Sequence, residues 1–385
     1  MKNKVLFVCF CTPFSFGGGS QATTAYLDAT LDIFGHQNVD VLVDNMVRIP
    51  DGYEDVKFIK IAKRSRFEGL LGILKGRLGR FAKPALKELQ TGKYDMCIFN
   101  GGYEAGWVVD KLKIKSVRFV TIHHNLEIEY CIDTKHILTF GGRYDGIIKR
   151  QERKAYKKSN LNLFLTEQDL RAFEKIYGHT DANNIVIGTF DFKNAEMIQL
   201  NETKSSEFDI VISGSLTNYQ TEHGIKDFMD NYYEILLKHI TDVRILMTGR
   251  DPGPVILAYE ERYADHIKIV PSPQDIHAEV RKAKIYLCPT DIGGGLKLRA
   301  MDGLKNGLPI LVHAVSARGY DAYFDKPYYS IYKDKDSFEQ GLVKILEYLK
   351  SHNCSSGTIN SDYYKYFGYI AGKERFLEAI NSVSK

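Results

Sequence analysis

The sequence predicts an α/β fold made of two doubly wound halves. Three observations predict it: short apolar runs alternate with longer amphipathic stretches, this alternation stops at a polar segment near residue 200, and it then begins again. Strands that alternate with helices form parallel sheets, because each helix carries the chain back to the start of the next strand. With 385 residues, the chain is long enough for two domains of ordinary size.

The apolar runs mark the predicted strands of each half. In the first half they cover residues 5–9, 39–43, 96–99, 119–122, 161–165 and 185–187. In the second half they cover residues 210–213, 244–248, 267–270, 285–287 and 310–313. The segment 200–209 between the halves is polar and has no periodicity, so we interpret it as a linker. An amphipathic stretch after residue 366 predicts a last helix that can pack on either half.

The composition indicates a globular protein and excludes several classes. Charged residues make up 26% of the chain, 44% of the residues are hydrophobic and 12% are aromatic. The net charge of +4 is mild, so we expect no nucleic-acid partner. The six cysteines follow no zinc or disulfide spacing, which suits a reducing cytoplasm. No apolar stretch approaches the roughly 18 to 20 residues of a membrane span, and Thr12 and Pro13 break the apolar start, which we interpret as a strand rather than a signal peptide.

Three consecutive glycines, Gly17, Gly18 and Gly19, follow the first predicted strand. A glycine-rich turn at a helix N-terminus presents bare N–H groups to a phosphate, and Ser20 can cap the helix predicted over residues 21–34. The spacing differs from G-x-G-x-x-G, which disfavours an NAD site. The alternative is a flexible turn that only lets the strand enter the helix.

The sequence VTIHHNLE places His123 and His124 at the carboxyl end of the strand predicted over 119–122. Ligands of open parallel sheets bind at this edge, so either imidazole can meet a sugar hydroxyl or act on a proton near neutral pH. No third ligand has a suitable spacing, so we expect no metal. The alternative is a structural role for both histidines.

Residues 60–90 interleave cationic and apolar side chains. As a single helix, this stretch has an apolar stripe opposite a cationic face, which is the pattern of a helix lying on an anionic membrane. The alternative is an ordinary amphipathic helix docked on its own sheet, and the four glycines of the stretch disfavour a long helix. A second basic run, IIKRQERKAYKKSN, indicates a basic face on the first half.

The densest constellation is GGGLKLRAMDGLKNGLP, which covers residues 293–309. A close approach of backbone to a ligand explains three consecutive glycines better than a simple turn does. Lys297 and Arg299 at a helix start suit a diphosphate, and Asp302 suits a ribose. Alternatively, Arg299 and Asp302 form a surface salt bridge worth only tenths of a kcal/mol, but that pair leaves the glycines unexplained.

Together these motifs resemble the retaining GT-B glycosyltransferases of family 4 over most of the chain. The family's donor signature, roughly G-x-G-x-K-x-K-x-x-E-A-M-A-x-G-x-P-V-V, is similar to GGGLKLRAMDGLKNGLPIL. This similarity puts the family's ribose-binding Glu at Asp302 and its basic positions at Lys297 and Arg299. VTIHHN is similar to the family's V-T-x-H-D, which puts its functional histidine at His123.

The resemblance implies a GT-B fold, in which two Rossmann-like domains face each other across a cleft and a C-terminal helix crosses back. We expect an acceptor-binding domain over residues 1–195 with the helix 366–385, and a nucleotide-sugar-binding domain over residues 205–365. The glycines at 17–19 would line the cleft. The resemblance implies no metal and no cofactor, with a nucleotide-diphosphate sugar as the donor substrate.

The resemblance also implies the site residues. His123 would orient the transferred sugar. Where the family carries an Arg and a Lys in the second half, this chain has Ser215 and His223, and Asp291 is the nearest acidic residue ahead of the glycines. Lys297 and Arg299, together with other basic groups, would then have to hold the phosphates. The donor-binding residues that we expect are Ser215, Arg250, Gly294, Gly295, Lys297, Arg299 and Asp302.

The predicted function is retaining transfer of a sugar, in the manner of a hexosyltransferase, from a nucleotide-diphosphate sugar to a carbohydrate or lipid-linked acceptor. The pathway expected is bacterial surface polysaccharide or glycan synthesis. The expected location is the cytoplasm or the inner face of the membrane, with residues 60–90 as the contact to anionic lipid. Two alternatives keep the fold: a non-catalytic partner subunit, and a nucleotide-sugar epimerase, which would want several acidic residues in the cleft. An NAD-dependent dehydrogenase is a third.

Overall fold

Two units make up the chain, and each is built around a parallel sheet. The first unit is formed by Met1–Ala195 and Tyr369–Lys385, and the second by Glu196–Gly368. The computed structural model describes residues 4–15, 17–114, 116–136, 139–195, 198, 200, 206–351 and 356–383. Of the linker predicted over residues 200–209, residues 201–205 lie outside the described part, and the last two residues belong to a strand that begins at Phe208.

The described part of the first unit holds a seven-stranded sheet in the order β3-β2-β1-β4-β5-β6-β7, with parallel neighbours. Its strands are β1 (Val5–Cys9), β2 (Val39–Asp44), β3 (Lys57–Ile61), β4 (Met96–Asn100), β5 (Arg118–His123), β6 (Leu161–Phe164) and β7 (Asn183–Val186). Its helices are α1 (Gly18–Phe34), α2 (Arg66–Leu74), α3 (Ala82–Leu89), α4 (Gly102–Lys111), α5 (Glu127–Asp133), α6 (Asp145–Lys158) and α7 (Glu167–Tyr177). The central strands β1 and β4 are buried along their whole length, as their continuous apolar sequences predict.

The described part of the second unit holds a six-stranded parallel sheet in the order β10-β9-β8-β11-β12-β13. Its strands are β8 (Phe208–Ser215), β9 (Ile245–Arg250), β10 (Ile267–Pro271), β11 (Ala283–Cys288), β12 (Ile310–His313) and β13 (Tyr329–Tyr332). Its helices are α8 (Tyr219–Asn231), α9 (Tyr233–His239), α10 (Pro254–Arg262), α11 (Ile276–Val280), α12 (Arg299–Lys305), α13 (Lys335–Lys350) and α14 (Ser356–Phe367).

The two sheets confirm the predicted α/β class with two doubly wound halves. In each sheet the strand order reverses beside the first strand of the unit, between β1 and β4 and between β8 and β11. The connections on either side of such a point run in opposite directions, which leaves a crevice at the carboxyl ends of the strands where ligands bind. Each unit therefore has one edge at which binding residues are expected.

Two strands are absent from the prediction. β3 has the sequence KFIKI, and it lies at the sheet edge with none of its residues fully buried, so its pattern merges with the basic stretch that follows. β13 has the sequence YSIY and also lies at an edge. The apolar signal of β3 is weak because its surface is only partly covered, whereas β13 is mostly buried and its signal is broken by two tyrosines and a serine.

The expectation of one helix through the basic stretch is wrong. β3 ends at Ile61, and the helices α2 and α3 are separate. The turn between the two helices contains Gly76 and Gly79, both with positive φ. A side chain at Gly79 would overlap the Glu104 carboxyl, which accepts hydrogen bonds from the N–H groups of Phe81 and Ala82 at 2.8 and 2.9 Å. These glycines mark a turn packed against α4.

A last helix, α15 (Tyr369–Asn381), belongs to the first unit. Its Phe376 ring packs edge-on against Tyr26 of α1, with 5.5 Å between the ring centroids. The Tyr369 hydroxyl donates a hydrogen bond to Asp32 at 2.8 Å. Gly372 lies directly against the buried ring of Phe190, and a Cβ at this position would overlap that ring. The helix can approach this closely only because residue 372 has no side chain.

We expect Gly372→Ala to destabilise the first unit by roughly 1 to 3 kcal/mol, because the Phe190 ring must move out of a packed site. The measurement is urea unfolding followed by tryptophan fluorescence, since the one tryptophan of the sequence, Trp107, lies on α4 of this unit. The control is Gly146→Ala on α6, where a Cβ meets no atom within 4 Å. This change should stabilise the unit by up to about 1 kcal/mol. Equal midpoints for the two variants would contradict the packing described here.

Candidate functional site

The carboxyl edge of the second sheet brings most of the predicted donor-binding residues together. β8 ends at Ser215 and β9 ends at Arg250, and these two residues are register partners. The glycine loop follows β11, and Arg299 is the first residue of α12. The edge therefore combines two strand ends, one loop and one helix start within a single unit.

Arg299 is held against the end of β8. Its Nη2 donates a hydrogen bond to the carbonyl oxygen of Ser215 at 3.4 Å. Gly214 has a φ of 128°, and a Cβ there would lie 2.5 Å from the Arg299 Nε. Only glycine allows this conformation and leaves room for the guanidinium. The position of a cation at the sheet edge thus depends on Gly214.

The loop of Gly293, Gly294 and Gly295 is folded around Lys297. The Lys297 ammonium donates hydrogen bonds to the Gly294 carbonyl at 2.9 Å and to the Gln220 Oε1 at 3.2 Å. The Tyr320 hydroxyl donates to the Lys297 carbonyl at 2.8 Å and fixes the backbone there. Gly293 has positive φ, and a side chain at this position would overlap the Gln220 amide. A Cβ at Gly294 would meet no atom within 4 Å, so the loop is open at its centre.

Two polar atoms beside this loop are buried without a hydrogen-bond partner among the described residues. They are the Gln220 Nε2 and the Thr290 Oγ1. A buried polar group that is left unpaired costs about 1 to 3 kcal/mol, so such atoms mark sites that a ligand can satisfy. An amide donor and a hydroxyl next to a cation suit a ligand rich in acceptor oxygens.

His223 and Asp291 form a pair that the sequence analysis treated as two separate positions. The His223 Nδ1 donates a hydrogen bond to the Asp291 Oδ1 at 2.9 Å. The cause is Gly224, where a Cβ would lie 2.6 Å from the Pro289 carbonyl oxygen, so α8 rests on the backbone that follows β11. The imidazole and the carboxylate thus border the same loop as Lys297.

Asp302 lies on α12, one turn beyond Arg299, and is partly buried. Its carbonyl oxygen accepts hydrogen bonds from the backbone N–H of Asn306 at 3.2 Å and from the Asn306 side-chain amide at 2.7 Å. The helix therefore orients Arg299 and Asp302 from consecutive turns of one side.

In the first unit, the glycines at 17–19 begin α1, but the capping expectation is wrong. Gly17 is the residue before the helix, with a φ of 108°, and Gly18 and Gly19 are already helical. The Ser20 hydroxyl donates a hydrogen bond to the Thr12 carbonyl at 2.6 Å instead of capping the helix. Gly19 is required for packing, because a Cβ there would lie 2.8 Å from the Cys11 sulfur.

His123 ends β5 inside the core of the first unit. Its side chain stacks on Phe164 at 5.0 Å, its Nε2 donates a hydrogen bond to the Asn162 Oδ1 at 3.1 Å, and the residue is 1% exposed. Its Nδ1 has no partner among the described residues. Burial lowers the pKa of His123 to about 4, so the ring is neutral at neutral pH. A role of this ring toward a sugar stays a prediction.

His124 is more exposed than His123 and donates a hydrogen bond to Asn100 at the end of β4. Burial lowers its pKa to about 4 as well. Both imidazoles of the motif are therefore neutral hydrogen-bonding groups rather than cations.

Sequence reasoning missed a pair of buried carboxyl groups, Glu127 and Glu152. The Glu127 backbone N–H donates to the Glu152 Oε1 at 2.8 Å, and the Tyr177 hydroxyl donates to its Oε2 at 2.7 Å. Burial raises the pKa of Glu127 to about 7. Burial, followed by the charge of Glu127, raises the pKa of Glu152 to about 8. The signal was present, because Glu152 falls on the apolar stripe of α6 between Ile148 and Ala155.

A surface cavity of about 510 Å³ lies beside α13 and includes His239 of α9. It contains none of the predicted site residues. Its lining comes mainly from charged side chains of one helix, so it adds nothing to the site at the sheet edge.

Comparisons with known proteins show a family match over part of the chain and a shared fold. Residues 207–347 match the family model of glycosyl transferases group 1, and this segment contains the second-unit site residues from Gly214 to Tyr320 described above. No curated protein sequence matches the chain. Sucrose-phosphate synthase from Thermosynechococcus elongatus matches in structure with a TM-score of 0.71 at 13% identity, over 99% of each chain. The chain has the GT-B fold.

Two further GT-B structures are similar over the whole length. HepE of Anabaena in complex with UDP has a TM-score of 0.64 at 12% identity, over 98% of this chain and 100% of that one. The lipopolysaccharide outer core galactosyltransferase WaaB has a TM-score of 0.67 at 13% identity, over 98% of this chain and 99% of that one. At identities this low, the structural similarity establishes the shared fold and does not establish the activity.

Two features are absent from the residues that the structure describes. No group of three or more His, Cys, Asp or Glu side chains among them is arranged to hold a metal ion. No helix among them is long and apolar enough to cross a membrane.

We expect Glu152→Gln to change how the stability of the first unit depends on pH. In the unfolded chain this carboxyl ionises near its ordinary pKa of 4.5, and in the folded unit near 8. The folded state therefore binds more protons between these values, and the contribution of Glu152 to stability falls as pH rises. The amide of the variant does not titrate. The free energy of unfolding of the variant, relative to that of the wild type, should therefore rise by about 1.4 kcal/mol per pH unit between pH 5 and 8.

The measurement is urea unfolding at pH 5, 6, 7 and 8, followed by Trp107 fluorescence. The control is Glu174→Gln on α7, because the Glu174 side chain is exposed. Its stability curve should run parallel to the wild-type curve. A Glu152→Gln curve that also runs parallel would show that Glu152 does not hold a proton in the folded unit.

Proposed function

We propose that this chain is a retaining glycosyltransferase that moves a sugar from a nucleotide-diphosphate sugar to a carbohydrate or lipid-linked acceptor. The observation that carries the proposal is the convergence of Lys297, Arg299 and the unpaired Gln220 amide on an open glycine loop at the switch point of the second sheet. Cations and N–H donors at such a point suit a diphosphate. The match of residues 207–347 to glycosyl transferases group 1 supports the same assignment.

The donor is a nucleotide sugar in this proposal, and no metal or cofactor takes part. HepE, which shares the fold, forms complexes with UDP and with UDP-glucose. Gly294 and Gly295 give the phosphates backbone contact, and Arg250 and Ser215 complete the wall beside Arg299. Asp302 accepts hydrogen bonds from the ribose hydroxyls.

The chemistry assigned to the site is loss of the diphosphate with retention. The bond between the anomeric carbon and the phosphate oxygen breaks, and the acceptor oxygen bonds to that carbon on the same face. The acceptor proton passes to the departing phosphate oxygen, so no carboxylate of the chain acts as nucleophile. Lys297 and Arg299 stabilise the negative charge that develops on the leaving diphosphate. His123 positions the transferred sugar, and the glycines at 17–19 border the acceptor.

The pathway in this proposal is bacterial surface polysaccharide or glycan synthesis, with the protein in the cytoplasm or at the inner face of the membrane. WaaB, which shares the fold, is a lipopolysaccharide galactosyltransferase. An acceptor of this kind carries sugar hydroxyls, with or without a lipid. Transfer to such a hydroxyl needs no cofactor.

We expect Lys297→Met and Arg299→Lys to weaken UDP binding by roughly 10- to 150-fold each. The loss of one charge-assisted hydrogen bond costs about 1.5 to 3 kcal/mol, and Lys cannot reproduce the planar fork of Arg. The measurement is calorimetric titration with UDP and with GDP. The control is Lys268→Met, since Lys268 is an exposed cation on β10 of the same unit. If both site variants bind UDP with wild-type affinity, Lys297 and Arg299 do not contact the diphosphate.

Nucleotide binding and turnover together separate the enzyme from a non-catalytic subunit that has lost donor binding. Purified protein is incubated with a panel of nucleotide sugars, with and without carbohydrate acceptors, and products are followed by mass spectrometry. We expect transfer or slow hydrolysis with one donor, abolished in Lys297→Met. Binding of neither UDP nor GDP, with no turnover of any donor, indicates the non-catalytic subunit, and conversion of the donor without acceptor indicates the epimerase.

A further inference from the structure

The helix α2 presents its apolar stripe to the outside of the first unit. Phe67, Leu70, Leu71 and Leu74 stand at positions i, i+3, i+4 and i+7, and they are 69%, 56%, 38% and 76% exposed. This spacing ordinarily faces a protein core. In α2 the same stripe is the outward face.

The inward face of α2 explains this orientation. Gly72 is the buried residue of the helix, and a Cβ there would lie 2.8 Å from the Arg64 Nη1 and 3.0 Å from the Arg77 carbonyl oxygen. The backbone of the helix therefore packs against the chain on either side of it. A large side chain on this face would push the helix away.

The helix is preformed in spite of its nine residues. Ser65 and Glu68 form a capping box, in which the Ser65 Oγ accepts from the Glu68 N–H at 3.2 Å and the Ser65 N–H donates to the Glu68 carboxylate at 3.3 Å. A cap of this kind satisfies the free N–H groups of the first turn. The exposed stripe thus belongs to the folded unit and needs no further ordering.

Exposed apolar side chains elsewhere are scattered. Among the other described helices, none exposes more than two large apolar residues, as α10 does with Val255 and Leu257 at 43% and 42%. Single exposed apolar side chains are normal, whereas a contiguous stripe marks an interaction surface. The stripe of α2 is contiguous and therefore indicates an interaction surface.

Cations flank the stripe. The segment 60–75 contains five Lys and Arg residues and one acidic residue, Glu68. Lys60, Lys63, Arg66 and Lys75 are exposed. Arg77 and Arg80 do not belong to this surface, because Arg77 is buried beside the Trp107 ring and Arg80 pairs with Asp44.

We propose that α2 docks the first unit on an anionic lipid bilayer. The side chains of Phe67, Leu70, Leu71 and Leu74 insert at the headgroup boundary, and the flanking lysines and Arg66 contact lipid phosphates. A helix with an apolar face bordered by cations binds in this way, in the plane of the interface. Two copies of this face would bring like charges together, whereas an anionic bilayer satisfies both the apolar stripe and its cations.

The test is co-sedimentation of the full chain with vesicles of phosphatidylcholine alone and with a third of phosphatidylglycerol. We expect binding to the anionic vesicles and at least tenfold weaker binding to the neutral ones or at 1 M salt. The triple variant Phe67→Ser, Leu70→Ser, Leu74→Ser should bind at least tenfold more weakly, and so should Lys63→Glu, Arg66→Glu, Lys75→Glu. The matched controls are Val255→Ser with Leu257→Ser, and Lys268→Glu, which should bind like wild type.

A second readout follows the helix itself. Leu74→Trp should gain a blue shift and quenching by brominated lipid on anionic vesicles. Urea unfolding checks that the triple variants keep the fold of the first unit, and UDP titration checks the second unit separately.

No binding of the wild type to anionic vesicles, or equal binding of the apolar variant, overturns the proposal. A dimer in solution that the α2 variants convert to monomer, without vesicle binding, overturns it in favour of a second copy. Failure of glycosyl transfer leaves these measurements unaffected.

Discussion

The absence of a Cβ at three glycines near the carboxyl edge of the second sheet is the constraint on which the site depends. A Cβ at Gly249 would overlap the Gly214 carbonyl, and one at Gly214 would displace the Arg299 guanidinium. A Cβ at Gly224 would separate α8 from the backbone after β11. Three glycines in three elements therefore set the distances between Arg299, His223 and the loop that follows β11. Steric fit places these charges, and the charges then define what the edge can bind.

The two units use ionisable groups in opposite ways. In the first unit, burial keeps His123 and His124 neutral and raises the pKa of Glu127 to about 7 and that of Glu152 to about 8. The two imidazoles at its sheet edge are hydrogen-bonding groups rather than cations at neutral pH. In the second unit, Lys297 and Arg299 bring positive charge to the corresponding edge. The difference in charge at neutral pH therefore distinguishes the two edges.

Much of the fold could be predicted from the sequence, because buried parallel strands are short and apolar and are separated by segments with helical periodicity. β1, β4 and β5 follow this rule, and their positions were predicted to within a residue or two. β3 and β13 lie at sheet edges and have mixed patterns, so the same rule does not detect them. The single helix predicted through residues 60–90 failed because Gly76 and Gly79 serve a tertiary contact, which the local pattern does not reveal.

The candidate site could be predicted only in part, because some of its contacts join residues that are far apart in the sequence. Glycines, cations and an acidic residue in one segment identified the loop and α12, since these residues are adjacent in the chain. Gln220, the pairing of His223 with Asp291, and the Glu127–Glu152 pair depend on contacts between elements far apart in sequence. Glu152 also looked like one charge in a basic run, although its place on the stripe of α6 made it the buried member.

Lys297 ties two elements of the second unit together. Its ammonium donates hydrogen bonds to the Gly294 carbonyl and to the Gln220 side chain of α8, so it bridges the glycine loop and the start of that helix. The same lysine therefore holds the shape of the loop and contributes positive charge to it. The shape and the charge of this edge are not independent properties, because a substitution at this one position changes both.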